Sequence, residues 1–131
     1  METLRIHTHD REEMMDITKP LRSMIHANGW SDGILLLFCA HTTGAVTINE
    51  GADPDVVRDI LVNMRKLVPH TGDYHHAEGN SDAHIKSSMF GCEQMVILEG
   101  GNLQLGTWQK IYFCEFDGPR SRKLLVKFLS S

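Results

Sequence analysis

Cysteine is scarce in this chain, and the three present do not pair. Cys39, Cys92 and Cys114 are odd in number, far apart and without CxxC spacing, so neither a disulfide framework nor a cysteine metal pair is indicated. Cys39 and Cys114 sit in the apolar runs "LLLFCA" and "IYFCEF". Such a setting suits buried, reduced thiols and lacks the electropositive surroundings a nucleophilic thiolate needs. Positive charge is not in excess either. Thirteen basic against seventeen acidic residues leave a net charge of -4, which excludes a general attraction to nucleic acid while allowing a local basic patch for a small anion. No apolar run approaches the roughly 18 residues needed to span a bilayer, and "METLRIHTHDREE" has no basic segment followed by an apolar core. The expectation is a soluble cytoplasmic protein without membrane contact. Low-complexity tracts and internal repeats are absent, and 131 residues fit one domain, residues 1–131.

What is present is a sequence of apolar runs broken by turn clusters. Residues 3 to 9, "TLRIHTH", alternate as a half-buried strand. Ile17, Leu21, Met24 and Ile25 then fall at helical spacing, with Thr18 as the expected cap, Pro20 in the first turn and Asn28-Gly29 as the stop. "GILLLFCA" (33 to 40) is apolar at every step, which predicts a central strand covered on both faces. A second strand is expected over 45–48. Asp53 and Pro54 open the longest predicted helix, whose apolar stripe runs from Val56 to Leu67. Ser81 or Asp82 could cap a short helix closed by Gly91, and strands are expected over 93–100, 106–116 and 122–129. Hairpin-connected strands interrupted by helices predict an α+β domain: an antiparallel β-sandwich or partial barrel flanked by two or three helices.

Histidine, with eight copies, is where chemistry concentrates. His41 stands where the apolar strand surfaces, just before Thr42 and Thr43. The stretch "HHAEGNSDAH" (75 to 84) adds three more. Three neutral imidazoles with an open fourth position make a catalytic zinc site, with Zn–N distances of about 2.0–2.1 Å. The spacing here does not place them on one helix face, so a solvated loop is an equal alternative. Glu50, at the end of "INEG", suits a general base, a metal ligand or an orienting partner for an imidazole. Equally, it is a turn carboxylate before the Asp53 cap. "LGTWQKIYFCEFDGPRSR" sets Trp108, Gln109, Glu115, Asp117, Arg120 and Arg122 around a turn. Arginines two apart there can present forked donors to phosphate or carboxylate. Alternatively Arg120 pairs with Asp117 or Glu115 to hold the hairpin, and Trp108 is core. Lys86, beside Ser87 and Ser88, adds a donor near an anion or belongs to an exposed helix face.

"HTTGAVTINE" (41 to 50), "HAEGNSDAHIKSSMFG" (76 to 91) and "LGTWQKIYFCEFDGPRSRK" (105 to 123), in this order and at these separations, resemble the YjbQ family of small cytoplasmic proteins. The resemblance implies a compact β-rich homotrimer with sites near subunit boundaries. It implies that His41, His76 and His84 hold a divalent metal, zinc being expected and magnesium the alternative beside a diphosphate. His76 is preferred over His75 because it keeps the H-x-E-G-N spacing. Members are labelled secondary thiamine-phosphate synthases, which join a pyrimidine diphosphate to a thiazole phosphate with release of pyrophosphate. On that basis Thr42, Thr43, Trp108, Gln109, Arg120, Arg122 and Lys86 are expected to contact a small phosphorylated molecule, with Glu50 and Arg120 catalytic. The alternatives are a non-catalytic metal or small-anion binding module and a purely structural trimer.

Overall fold

The central apolar run does become a central strand. In the computed structural model, which describes residues 1–131, the first half of the chain forms β1 (Glu2–His7), β2 (Glu13–Asp16), α1 (Thr18–Asn28), β3 (Gly33–Cys39), β4 (Gly44–Glu50) and α2 (Pro54–Leu67). The second half forms α3 (Ser81–Phe90), β5 (Glu93–Glu99), β6 (Asn102–Leu103), β7 (Gln109–Glu115) and β8 (Ser121–Ser130). β3 lies in the middle of a five-stranded sheet ordered β1-β8-β3-β5-β6, and a second sheet is ordered β2-β7-β4. All pairings are antiparallel. The larger sheet curls over the smaller one, giving a half-barrel with three helices. None of those helices is long and apolar enough to cross a membrane.

Alternation along the strands sorts the side chains into two cores. Leu35, Leu37, Val96, Leu98, Leu124 and Val126 of the large sheet meet Val46, Ile111 and Phe113 of the small one, and α1 adds Leu21 and Ile25. On the outer face of the small sheet Met14, Ala45, Tyr112, Cys114 and Phe116 pack beneath Ala83 of α3 and Val57, Ile60 and Leu61 of α2. The apolar stripe of α2 is only partly buried, for no residue of that helix is enclosed.

Several local expectations needed correction. β3 is covered on one face only: Ile34 and Phe38 are exposed on the outside of the large sheet. β2 escapes periodicity because "EMMD" is too short to alternate; its pairing with β7, Met14 opposite Cys114, creates it. β6 (Asn102–Leu103) lies between the strands expected over 93–100 and 106–116. At the start of α1, Asp16 Oδ1 accepts the Thr18 N–H at 2.9 Å, and the Thr18 hydroxyl instead accepts the Ile111 N–H at 2.8 Å. Asp53 does cap α2, accepting from the Asp55 N–H.

Candidate functional site

Three chain segments meet beyond the ends of β3 and β7. The turn Ala40–Thr43 links β3 to β4, the turn from Phe116 to Arg120 links β7 to β8, and the first turn of α3 packs against both. They enclose a cavity of about 370 Å³ lined by His41, Thr42, Thr43, Glu78, Asn80, His84, Asp117, Arg120 and Arg122, with Ala40 the one apolar contributor. Gly79, at φ +76°, supplies the bend that starts α3 at this point. Only glycine reaches that conformation without strain.

The floor is a buried ion pair. Glu115 is fully buried and accepts from Arg122 Nε at 2.9 Å, from Arg122 Nη2 and from the Thr8 hydroxyl at 2.8 Å. Arg122 Nη2 also donates to Thr43 Oγ1 at 2.8 Å, tying β8 to the turn before β4. Burial pushes the Glu115 carboxyl up, but hydrogen bonds from Arg122, Thr8 and the Asp117 N–H outweigh it and hold the group below its ordinary value. Arg122 thus spends Nε and Nη2 on the scaffold. Nη1 makes no hydrogen bond within the protein.

The rim is held more loosely. Asp117 Oδ2 accepts from Asn80 Nδ2 at 2.8 Å and from the half-exposed Arg120 Nη2 at 3.2 Å. Asn80 is the N-cap residue of α3, but its side chain makes no capping hydrogen bond; its Nδ2 is turned to Asp117. The turn depends on Gly118: a Cβ there would lie 2.4 Å from the Asp10 carbonyl oxygen and 2.9 Å from Thr8 Oγ1. Such approaches leave no room for a side chain.

The histidines are placed differently from one another. His41 Nε2 accepts the Lys123 backbone N–H at 3.0 Å, and burial, reinforced by Arg122, lowers its pKa. His76 and His84 meet edge to face with centroids 5.3 Å apart, and Glu78 lies 3.8 Å from His76 Nε2. No group of three or more His, Cys, Asp or Glu side chains is close enough to share a metal ion. A three-histidine zinc site therefore does not fit the residues as they stand. His75 lies outside the cavity, in an adjoining depression with Tyr74, His76, His84 and Ile85.

Four expected contributors are elsewhere. Glu50, Gln109 and Trp108 belong to the opposite end of the small sheet, where Glu50 pairs in register with Gln109. Six residues of β4 separate that end from Gly44, roughly 20 Å at 3.3 Å per residue. Trp108 is exposed rather than core. Lys86 is fully buried on the inner side of α3, where Nζ donates to Glu12 at 2.6 Å and Asp82 at 3.1 Å, and Arg11 closes the network with a two-pronged contact to Asp82. Of the cysteines, Cys39 and Cys114 are buried and unpaired. Burial pushes both thiols up, against a nucleophilic role. Glu78 and Asn80 line the cavity in addition to the expected residues. The "EGN" between the two histidines was the available signal.

Known proteins match this arrangement along its whole length. A "UPF0047 protein YugU" of Bacillus subtilis (strain 168) is 49% identical over 131 residues, covering 98% of both chains. A "UPF0047 protein MJ1081" of Methanocaldococcus jannaschii is 49% identical over 125 residues, covering 95% of this chain and 91% of the other. The crystal structure of an uncharacterised conserved YjbQ/UPF0047 family protein of Clostridium acetobutylicum superposes with a TM-score of 0.95 at 52% identity, covering 98% of this chain and 100% of that one. Residues 2–131 match the family described as UPF0047 protein YjbQ-like. The chain, with its half-barrel and the cavity at the ends of β3 and β7, belongs to the YjbQ/UPF0047 family.

Proposed function

We propose that the cavity binds the phosphate of a small phosphorylated molecule. The observation that carries this is the convergence of donors on one polar cavity: Arg122 Nη1, the Thr42 hydroxyl and His41 Nδ1, which bond nothing else in the protein, and Arg120, held only by a half-exposed ion pair with Asp117. Arg122 is already neutralised by Glu115, so the exchangeable positive charge is that of Arg120. Its ion pair with Asp117 is half exposed and of a kind worth about 0–1 kcal/mol. A phosphate offering charge-assisted hydrogen bonds can displace it.

A synthase joining a pyrimidine diphosphate to a thiazole phosphate is the finer reading. It is favoured by the adjoining depression, which shares His84 with the cavity and offers Tyr74 and Ile85 to a heterocycle. In such a reaction the pyrimidine methylene carbon gains a bond to the thiazole nitrogen as its bond to the pyrophosphate oxygen breaks, and the cavity donors would receive the departing charge. Calorimetry with the two precursors tests both readings. Arg120→Ala is expected to weaken phosphate-ester binding about 10- to 100-fold, the loss of one charged hydrogen bond. Product formation identifies a synthase, binding without product leaves a binding module, and an unchanged affinity in Arg120→Ala removes the phosphate assignment.

A homotrimer is supported by the uncovered face of the large sheet. Ile34 lies between Ile97 and Leu129 in register across three strands, and Met95 joins them; all four are exposed. A contiguous apolar patch of this kind marks an association surface. Ile97→Glu is expected to convert the assembly to monomers in sedimentation velocity while costing the monomer within about 0.5 kcal/mol. A monomeric wild-type protein would sink the trimer.

A further inference from the structure

We propose that His41 is a fixed Nδ1–H hydrogen-bond donor to the anion in the cavity, and not a metal ligand. This rests on the phosphate reading above only for the identity of the acceptor. A backbone N–H can only donate, so the 3.0 Å contact from Lys123 N to His41 Nε2 requires a lone pair on Nε2. In a neutral imidazole the proton then resides on Nδ1. Asn80 Oδ1 is the one buried side-chain polar atom without a partner, so the unpartnered Nδ1 of His41 is open, and the ring lines the cavity.

The arrangement is the reverse of a ligating histidine. There the second ring nitrogen carries a proton and donates it to a carboxylate or carbonyl, leaving the first lone pair for the metal. Here the second nitrogen accepts, so the nitrogen facing the cavity holds a proton and has no lone pair to give. Coordination through Nδ1 would require an imidazolate, and coordination through Nε2 would break the bond to β8. Lys123 is the residue after Arg122, so the same strand that places the arginine also sets the tautomer of His41. An oxyanion between them would meet an N–H from each.

Long-range 1H–15N correlation spectra of the whole protein test this, with the His41 signals assigned by their loss in His41→Gln. The expected pattern is the Nδ1–H tautomer, unchanged by added zinc and shifted at Nδ1 by inorganic phosphate. The variant provides a second measurement, because glutamine can reach the Lys123 N–H yet places no donor at the Nδ1 position. It is expected to lower phosphate affinity about tenfold while leaving the Lys123 amide protected from exchange. An Nε2–H tautomer, or a zinc-induced shift at either His41 nitrogen, overturns the proposal. So does a silent Nδ1 when phosphate shifts the Thr42 and Arg120 signals. If phosphate moves no cavity signal, the phosphate reading falls as well, with the tautomer spectrum identifying which of the two failed.

Discussion

Arg122→Ala is expected to destabilise the protein by about 3–5 kcal/mol, the cost of stranding a buried charge, or roughly 10–20 °C in Tm for a chain of this length. Glu115 is fully buried, and its remaining partners, the Thr8 hydroxyl and the Asp117 N–H, cannot neutralise it. Arg122→Lys should recover only part of the loss, since an ammonium cannot reach Glu115 and Thr43 together through a planar fork. Thermal denaturation of the two variants checks this; a drop of less than about 1 kcal/mol in Arg122→Ala would show that the pair is solvated. The same pair sets an acid limit. Glu115 and Asp82 are both held below their ordinary carboxylate values, so the folded state binds fewer protons than the unfolded chain as these groups titrate. Their contribution is complete above the unfolded values, near pH 4–4.5, and is lost as pH falls through the lower folded ones. Glu115→Gln should flatten that acid limb.

Lys86→Ala is expected to cost about 3 kcal/mol, at the lower edge of the range for a broken buried pair. Asp82 keeps Arg11 and Glu12 keeps the more distant Arg65, which moderates the loss. Phosphate affinity should be unchanged within about twofold, because Lys86 lies under α3 and away from the cavity. Calorimetry with phosphate after a stability measurement separates the two effects. A variant of normal stability with weakened phosphate binding would return Lys86 to the site.

Lys86 also marks where sequence reading stops. The inner face of α3 carries Asp82, Ala83, Lys86 and Ser87, so the helix has no apolar stripe. A lysine among serines then resembles a solvated surface. Its burial depends on Glu12 and Arg11, more than 70 positions away in the chain, and no local pattern encodes partners at that distance. Arg122 is comparable. As one of two arginines on a turn it looked like a ligand donor, yet alternation along β8 turns it inward beside Leu124 and Val126, while Arg120 stays in the turn and faces solvent.

Glu50, Trp108 and Gln109 lie away from the cavity for another reason. Nearness in sequence, of Glu50 to the threonine pair and of Trp108 and Gln109 to the Arg120 turn, suggested nearness in space, but a strand carries the chain away by about 3.3 Å per residue. Antiparallel pairing then groups Glu50 with Gln109 at the far end.

By itself the sequence determined the α+β class, the two longer helices and most of the strands, because those follow from local periodicity and turn chemistry. Through the family resemblance it also grouped His41, Thr42, Thr43, His84, Arg120 and Arg122, which line one cavity, with His76, Glu50, Trp108, Gln109 and Lys86, which do not. Only the tertiary structure decided which of them are free to act. The Lys123 N–H set the proton on His41, Glu115 claimed most of Arg122, and Arg120 was left as the mobile charge. The His41 bond joins residues 82 positions apart and the Glu115–Arg122 pair bridges the consecutive strands β7 and β8; burial forces the second to be made, whereas the exposed Arg120–Asp117 contact is not so constrained.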